Sequence, residues 1–468
     1  MTVSRLGRRS AAALLTGAVL AAAAPGILRA QDTLPPLSVE VRLGDFGLES
    51  ADRVRRGRIS LAHAPGGATL RVHFLRDRAE VAPEPPPASL VLPTVPDAAP
   101  GGEGLPRPEA LWVWNTRELL RDDGARRDFL AFVQGHGFRR VFLQLPPAEG
   151  ERAAAGFVPF DGGALGPLVA ALEGLGVGTW ALDGDPAYAL AANHAGVLAT
   201  VDRVAAHNAA APPEQRVQGV RYDVEPYLTP GFQGPRRAEI LDGYVALVAA
   251  VGARARAAGL SAGVDIPFWL DAPDEDSGRP LDAVLDGVRR PVLEHVLAHV
   301  DEVAVMDYRT TASGPDGSVA HAVAELEAAG RAGAGVLVAV ETEALVDEDL
   351  FTFAGEGWEG PPPEPGRWVV LEPAGADRAR VWLVEGSGAR GALLSAVAEA
   401  GLAPASLRHW PAGRAARVAA DKQSFHRLGG PRLLAESGRL VAALASYPAF
   451  RGLAYHHYGS LKELLERR

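Results

Sequence analysis

The sequence predicts an α/β protein built on a (β/α)₈ barrel, and two observations lead to this prediction. After residue 110 of the 468-residue chain, short apolar runs rich in β-branched and aromatic residues recur, each followed by a stretch with apolar residues three and four positions apart. There are eight such runs, the number of strand–helix units that closes a barrel. A doubly wound parallel sheet is the alternative, but no glycine-rich phosphate loop follows any of the runs.

The predicted strands follow one another at intervals that suit one strand and one helix, with a single exception. The runs are 111–114, 140–144, 177–182, 219–223, 261–265, 302–306, 335–341 and 452–456. The last interval is much longer than the others and contains a glycine–proline stretch and two further strand-like runs, 367–371 and 380–385. We therefore expect an insertion between strands seven and eight, at about 350–420, that forms a small β-containing lid near the barrel mouth.

The chain before the barrel divides into three predicted parts. Residues 1–30 are similar to an export signal, with a basic start and then an alanine-rich apolar stretch. The pair Arg8 and Arg9 resembles a twin-arginine signal, although Gly7 before it and the alanines after it depart from the usual pattern, and the general secretory route is the alternative. Residues 31–81 contain the alternating runs of a small β-rich segment, and residues 82–109 form a proline-rich linker. The barrel with its insertion then occupies residues 110–468.

The composition argues against several classes of function. A formal net charge of −10 and a pI near 5.7 disfavour nucleic acid as a partner. The chain has no cysteine, which excludes disulfides, thiolate catalysis and cysteine-based metal sites. No stretch beyond the export signal is apolar enough to predict stable membrane insertion. The export signal itself predicts a periplasmic or extracellular protein. No cofactor is predicted, and the sequence leaves the oligomeric state open.

The residues that end the eight runs form a candidate site, because the active site of a (β/α)₈ barrel lies at the carboxyl ends of its strands. Acidic and aromatic side chains occur at most of these ends. In chain order the candidates are Trp114, Asp183, Asp223, Glu225, Tyr227, Asp265, Trp269, Asp307, Tyr308, Glu341 and His456. Aromatic faces stack on pyranose rings and carboxylates bind sugar hydroxyls, so a carbohydrate is the expected partner.

The pair Asp223 and Glu225 is the most informative part of this group. Side chains alternate along a strand, so the two carboxylates point the same way. Because two carboxylates this close cannot both ionise cheaply, one is expected to hold a proton near neutral pH, as cleavage of a glycosidic bond requires. Arg221 lies on the same face and is expected to keep Asp223 ionised. An ordinary solvated strand end with two acids is the alternative.

Several candidates have a purely structural alternative. One of Trp112 and Trp114 is expected to point into the core, and Asp183 could cap the loop that follows it. His456 and His457 are adjacent, so at most one of them faces the site. The histidines are otherwise scattered along the chain, and we predict no metal site.

Two of the strand ends resemble motifs of a known family. The run 223–227 (Asp-Val-Glu-Pro-Tyr) is similar to the end of the strand-four motif of family-18 chitinase-like glycoside hydrolases. The run 306–308 (Met-Asp-Tyr) is similar to the strand-six motif of the same family, and the order along the chain agrees. The resemblance covers roughly the barrel part of the chain, without the insertion.

The resemblance implies a role for three residues. Glu225 would protonate the glycosidic oxygen, and Asp223 would orient and stabilise an N-acetyl group of the substrate, whose carbonyl oxygen attacks. Tyr308 would hydrogen-bond that carbonyl. Gln218 and Arg221 stand where the family motif has earlier acids, so the resemblance implies neither an N-acetyl requirement nor chitin as the substrate.

Two other functions remain open. Many retaining (β/α)₈ glycosidases use a glutamate on strand four as acid and base and a glutamate on strand seven as nucleophile, and this chain has Glu225 and Glu341 there. Val224, however, stands where that pattern has an asparagine. A barrel that binds carbohydrate without cleaving it is the other alternative. A barrel that acts on phosphorylated small molecules is disfavoured, since no basic phosphate cradle is present.

Overall fold

The computed structural model describes residues 2–3, 37–64, 67–75, 90–99, 104–145, 162–273, 280–354, 364, 366–385, 388, 390–391, 393–395 and 407–467. The predicted export signal lies outside the described residues except for residues 2 and 3, and so do parts of the predicted linker and insertion.

Strands and helices are numbered here in chain order over these residues. The strands are β1 (Thr2–Val3), β2 (Leu37–Arg42), β3 (Arg56–Ala64), β4 (Gly67–Phe74), β5 (Leu90–Val91), β6 (Pro108–Val113), β7 (Arg140–Gln144), β8 (Gly178–Asp183), β9 (Gly219–Tyr222), β10 (Ser261–Pro267), β11 (Asp282–Leu285), β12 (Val288–Pro291), β13 (Glu302–Met306), β14 (Gly335–Glu341), β15 (Glu348–Ala354), β16 (Arg367–Pro373), β17 (Arg378–Glu385), β18 (Arg408–Val418) and β19 (Phe450–His456). The helices are α1 (Thr116–Arg121), α2 (Asp123–His136), α3 (Gly162–Gly174), α4 (His194–Ala210), α5 (Arg237–Ala257), α6 (Val292–His299), α7 (Ser318–Ala332), α8 (Ala420–Gln423), α9 (Gly430–Leu444) and α10 (Tyr458–Glu466).

Eight parallel strands close into a barrel in the order β6, β7, β8, β9, β10, β13, β14 and β19, with β19 pairing back to β6. Helices lie between successive strands along the chain, so the predicted (β/α)₈ barrel is confirmed. Every residue of β8, β9, β13 and β14 is buried. One face of each strand fills the barrel and the other packs under helices, which explains why these strands are continuous apolar runs in the sequence.

Helix α5 packs closely against its neighbours in the outer ring of helices. This helix buries one apolar side, including Tyr244, Leu247 and Val251. A Cβ atom placed on Gly252 would lie 1.9 Å from the carbonyl oxygen of His299 at the end of α6. The separation of α5 and α6 therefore depends on a glycine at this position. None of the helices in the described part of the chain is long and apolar enough to cross a bilayer.

A second, antiparallel sheet of seven strands has the order β2-β17-β16-β18-β15-β3-β4, and we call it the accessory sheet. Its strands come from two distant parts of the chain, 37–74 and 348–418. The edge strands β2 and β4 contact each other, so the sheet curls around an apolar cluster that includes Ile59, Val72 and Phe351. The β-rich segment and the insertion, which the sequence analysis treats separately, are thus one structural unit, and neither supplies a barrel strand.

The accessory sheet lies at the carboxyl end of the barrel strands. The chain leaves the barrel for the accessory sheet directly after β14. It returns beside the end of β14, where the amide of Phe425 donates to the carbonyl oxygen of Glu341 at 3.0 Å. The hydroxyl of Thr310, after β13, donates to the carbonyl oxygen of Asp421 at 2.7 Å. On the other side, the Arg236 side chain donates to the carbonyl oxygen of Asp45 at 3.1 Å. Loops after three barrel strands therefore hold the sheet next to the mouth.

Candidate active site

The ends of β8 and β9 bring the first carboxylates together. β9 ends at Tyr222, and the amide of Asp223 continues its pairing by donating to the carbonyl oxygen of Asp183 at 2.9 Å. A Cβ atom on Gly184 would lie 2.2 Å from the carbonyl oxygen of Asp223, so only a glycine permits this approach. Burial raises the pKa of Asp183 to about 6, while hydrogen bonds from the Gly184 amide and the Tyr188 hydroxyl oppose the rise.

Glu225 is buried at the mouth, with 6% of its surface exposed. Burial raises the pKa of Glu225 to about 6. Three interactions oppose that rise, since the hydroxyl of Tyr227 donates a hydrogen bond to Oε1 and the side chains of His456 and Arg71 are close enough to favour the charged form. Glu225 therefore titrates in the range where a carboxyl group can give up and regain a proton near neutral pH.

Asp223 lies beside Glu225, and its Oδ1 is buried with no hydrogen-bond partner among the described residues. Burial raises the pKa of Asp223 well above its usual range, and the carboxylates of Glu225 and Asp265 raise it further. Adjacent buried carboxylates cannot both carry charge cheaply. The pair Asp223 and Glu225 therefore retains a proton into the neutral range, as the sequence analysis expects.

Arg221 does not keep Asp223 ionised, and that expectation is wrong. The guanidinium group is fully buried inside the barrel, where it binds Asp265 Oδ1 and Glu302 Oε1, each at 2.5 Å. It lies over the ring of Phe142, with 4.2 Å from Cζ to the ring centroid. Its charge is therefore shared between two other carboxylates, and it lowers the pKa of Asp223 less than burial and the neighbouring acids raise it.

Asp265 and Tyr308 complete the centre of the group. Asp265 is 1% exposed and accepts hydrogen bonds from Arg221 and from the indole of Trp112, the latter at 3.1 Å. Burial raises the pKa of Tyr308 well above its usual range, and the charges of Glu341, Asp223, Glu225 and Asp265 add to the rise. Tyr308 therefore keeps its proton and can act as a hydrogen-bond donor among these carboxylates.

Strands seven, eight and one contribute a connected set of side chains. The indole of Trp114 donates to His456 Nε2 at 2.9 Å, which places the imidazole proton on Nδ1, and Nδ1 donates to Glu341 Oε2 at 2.9 Å. The other oxygen of Glu341 accepts from the amide of Glu343 at 2.7 Å. Ligand atoms of Glu341, Glu343 and His456 lie within 4.8 Å of one another, as metal ligands would. Both nitrogens of His456 are already engaged, so the arrangement does not favour a metal ion there.

The two tryptophans of strand one lie on the same side but at different depths. Trp112 is 1% exposed and packs inside the barrel, whereas Trp114 is partly exposed at the mouth. A third tryptophan, Trp269, packs edge-on against Tyr227, with ring centroids 5.1 Å apart. Trp114, Tyr227 and Trp269 therefore provide aromatic rings around the carboxylates, and Trp112 positions Asp265 from below.

Asp307 is not brought to this group. Its Oδ1 lies 2.9 Å from His321 Nδ1 on α7, and both side chains are fully buried. Residues 307 and 308 point to opposite sides, so when Tyr308 faces the mouth Asp307 faces the helix layer. The other ten candidates all lie at the mouth, each within a chain of contacts or electrostatic interactions that reaches Glu225 or Asp223.

Two neighbours of the site were not singled out from the sequence. The hydroxyl of Tyr188 lies 3.2 Å and 3.3 Å from the two oxygens of Asp183. Arg71, on β4 of the accessory sheet, affects the pKa of Glu225 from a position more than a hundred residues earlier in the chain. Strand alternation marks Arg71 as an outward residue of β4, but nothing in the sequence relates β4 to the barrel mouth.

No family model and no curated protein matches this sequence. Among solved structures, a chitinase from Chromobacterium violaceum ATCC 12472 is similar at 12% identity and a TM-score of 0.33, over 77% of this chain and 99% of that one. A GH113 beta-1,4-mannanase is similar at 9% identity and a TM-score of 0.38, over 76% and 89%. A xylanase and alpha-amylase inhibitor protein from Scadoxus multiflorus is similar at 12% identity and a TM-score of 0.30, over 52% and 81%. Similarities at this level carry no argument about activity.

Proposed function

We propose that this protein is a glycoside hydrolase that acts on a polysaccharide or glycoconjugate, with Glu225 as the general acid and Asp223 and Tyr308 as stabilising groups. The observation that carries the proposal is the pair of adjacent carboxyl groups that follows β9, of which Glu225 is buried and Asp223 partly buried. Glu225 has a pKa raised to about 6, and that of its neighbour Asp223 is raised too. A carboxyl group that holds its proton near neutral pH, among aromatic rings, suits protonation of a glycosidic oxygen.

In this mechanism the protonated Glu225 donates to the oxygen of the scissile bond, and the leaving sugar departs as an alcohol. Positive charge then develops at the anomeric carbon. Once Glu225 has given up its proton, the negative charge of the Asp223–Glu225 pair stabilises this positive charge, and the Tyr308 hydroxyl donates to an oxygen of the same sugar. Water then attacks the anomeric carbon and gives a proton to the Glu225 carboxylate, which completes hydrolysis and restores the acid.

Glu341 is less suited to act as a nucleophile than the two-carboxylate alternative requires. One of its oxygens accepts from the Glu343 amide and the other from His456 Nδ1. A nucleophilic carboxylate needs an oxygen free to attack the anomeric carbon. We therefore assign Glu341 the role of orienting His456, with its strand-seven position as the only support for the alternative.

The test is Glu225→Gln, assayed against a panel of polysaccharides and aryl glycosides. We expect turnover to fall by about 10²–10⁴-fold while sugar binding is retained, because the amide keeps the shape of the side chain but has no acidic proton to transfer. Glu294→Gln, an exposed substitution on α6, is the matched control and should keep full activity. Unchanged turnover in Glu225→Gln would refute the proposal. Tight sugar binding by a wild-type protein that cleaves no member of the panel would favour the carbohydrate-binding alternative.

A further inference from the structure

Asp265 lies beside Asp223 at the ends of two adjacent strands. Gly263 on β10 pairs with Arg221 on β9. Two positions further along both strands, Asp265 therefore comes level with Asp223. Adjacent strands are about 4.8 Å apart, and residues two positions apart along a strand share a face. The two aspartates are thus neighbours on one face, directly above Arg221 and Gly263.

The absence of a side chain at Gly263 makes room for a guanidinium group beneath Asp265. A Cβ atom at this position would lie 2.9 Å from Nη2 of Arg221 and 3.0 Å from Cζ3 of Trp180. The Arg221 side chain can therefore cross to the neighbouring strand, where Nη1 binds Asp265 Oδ1. Asp223, on the same strand as Arg221, keeps an Oδ1 atom with no hydrogen-bond partner among the described residues.

The contacts of Asp265 fit its charged form and leave it closed to substrate. One oxygen accepts from Arg221 and the other from the indole of Trp112 at 3.1 Å, and 1% of the residue is exposed. Burial raises the pKa of Asp265, and these two contacts oppose the rise. A neutral acid would turn its O–H group toward one of two neighbours that can only donate. Asp265 is therefore held as a carboxylate.

Arg221 does not neutralise Asp265 completely, because the guanidinium group is shared. Its Nη2 binds Glu302, whose two oxygens also accept from Arg140, each at 3.1 Å. Barrel interiors are normally filled by branched apolar residues, and a buried ion pair adds little stability compared with apolar residues of the same volume. Its charge, directly below the acid pair, is thus a better explanation of this ion pair than stability.

The carboxylate of Asp265 opposes the groups that favour ionisation of the acid pair. Burial raises the pKa of both Asp223 and Glu225, and the charge of Asp265 raises it further. Groups on several elements favour the charged form of one or the other member of the pair, namely Arg71, Arg221, Tyr227 and His456. Burial also raises the pKa of two phenols that face these carboxylates and so remain neutral, Tyr244 and Tyr308.

We propose that Asp265, held as a carboxylate by Arg221 in the space that Gly263 leaves, is a positioning residue that keeps a proton on the Asp223–Glu225 pair. The inference rests on the proposed function and concerns the control of the same site. A charge within about 4–6 Å changes the pKa of a carboxyl group by about 1–3 units. Asp265 is near enough to the pair to decide whether the general acid is still protonated at neutral pH.

The kinetic test is Asp265→Asn, which keeps the shape of the side chain and removes its charge. With the carboxylate gone and Arg221 still present, the charged form of the pair is favoured. We therefore expect kcat/KM to fall, as pH rises, at least about one pH unit lower than in wild type. A purely structural role would lower kcat/KM equally at every pH, and a fall that stays in place would overturn the proposal. Asp202→Asn, which removes the partner of Arg254 in an exposed ion pair, is the control and should leave the profile unchanged.

Unfolding by urea tests the inference without a substrate. Glu225→Gln removes a carboxyl group whose pKa is raised on folding, so it should stabilise the protein more at pH 8 than at pH 4. We expect this extra stabilisation to shrink by about half or more when Asp265→Asn is also present, since Glu225 then titrates nearer to its ordinary range. Equal extra stabilisation in both backgrounds would refute the role of Asp265.

The two measurements separate this inference from the proposed function. If glycans are cleaved but neither the pH profile nor the extra stabilisation changes in Asp265→Asn, the role of Asp265 is refuted and the glycosidase proposal stands. If the extra stabilisation shrinks while no glycan is cleaved by wild type, the effect of Asp265 on Glu225 is upheld and the glycosidase proposal fails.

A second variant decides the matter if Asp265→Asn does not fold because Arg221 has lost its partner. Arg221→Gln added to Asp265→Asn removes both charges and leaves Glu302 paired with Arg140. Asp265 acts on Asp223 more strongly than Arg221 does. The fall of kcat/KM should therefore still occur at lower pH than in wild type, and a fall at the wild-type pH or above it would overturn the proposal.

Discussion

Glu225 owes its proton affinity to opposing effects that act on one carboxyl group. Burial raises its pKa, and the Tyr227 hydroxyl, His456 and Arg71 lower it again, with a balance at about 6. Tyr227 donates its hydrogen bond to the oxygen that carries the charge, so this bond favours the ionised form. The side chains around Glu225 therefore set the pH range in which it can act as an acid.

The value of kcat/KM is expected to fall as pH rises, because Glu225 loses its proton. We predict that in Tyr227→Phe this fall occurs about 1 to 2 pH units higher than in wild type, because a hydrogen bond to a charged group contributes about 1.5–3 kcal/mol. Without the hydroxyl, the charged form of Glu225 is less stable and the proton is held to higher pH. A pH–rate profile measures the shift. Tyr188→Phe is the control, since its hydroxyl contacts Asp183 instead. A decline that stays in place or moves to lower pH in Tyr227→Phe would contradict this account.

The same burial makes Glu225 a cost to stability. A carboxyl whose pKa is raised on folding stabilises the protein fully below the pKa of the unfolded chain, and that contribution is lost as pH rises through the folded pKa. A rise from 4.5 to about 6 corresponds to about 2 kcal/mol. We predict that Glu225→Gln stabilises the protein relative to wild type more at pH 8 than at pH 4. The gain in the free energy of unfolding should be larger at pH 8 by up to this amount.

Urea denaturation at several pH values between 4 and 8 measures this difference, with Glu294→Gln as the exposed control. The stabilisation of Glu225→Gln relative to wild type should grow as pH rises. If this difference in the free energy of unfolding stays constant or shrinks instead, the carboxyl group is not the source of the effect.

Single residues were predictable from the sequence where strand alternation alone decides their position. Asp223 and Glu225 follow from their spacing. Trp112 and Trp114 share a face, so their separation into core and mouth comes from depth along the strand and not from alternation. Arg221 could not be placed, because its length lets it reach Asp265 and Glu302 on other strands instead of its own neighbour. Asp307 could not be placed either, since its partner His321 is on a helix and no pattern in the sequence pairs the two.

At the scale of elements, the accessory sheet is the main feature that the sequence did not reveal. Its individual strands are recognisable as alternating or β-branched runs, and β16 and β17 match the runs expected at 367–371 and 380–385. The pairing of β3 with β15 is between segments that are far apart in the chain, and pairing partners have no local signal. Barrel strands were predictable for the opposite reason, because most of them pair with the next barrel strand along the chain and each is followed by its own helix.

We predict that deletion of residues 348–418 alone gives an aggregating protein, because it removes the pairing partners of β2 and β3 and exposes the apolar cluster around Ile59 and Val72. Deletion of residues 37–75 together with 348–418 removes the whole sheet and should yield a soluble barrel. Size-exclusion chromatography of both proteins measures the difference. A single deletion that is as soluble and monodisperse as the double deletion would contradict the shared sheet.

At the scale of the whole molecule, we propose that the protein is exported, because the chain has a basic start followed by an alanine-rich apolar stretch. We predict that the mature protein begins near Gln31 and is recovered from the periplasm or the medium. Sequencing of its amino terminus measures this. Replacement of Arg8 and Arg9 together by lysine should stop export only if the twin-arginine route is used. Native protein that retains residues 1–30 would contradict export with cleavage.

The order in which the polypeptide is synthesised has a consequence for the accessory sheet. His63 on β3 and Asp349 on β15 form a contact across 286 positions of the chain. The first three strands of the sheet leave the ribosome early, but the partner of β2 and the second partner of β3 emerge only after seven of the eight barrel strands. Contacts of such long range form slowly, and unpaired strand edges promote association with other chains. β3 and β4 can pair with each other, but β2 and the other edge of β3 spend most of translation without partners, which exposes this segment to association with other chains.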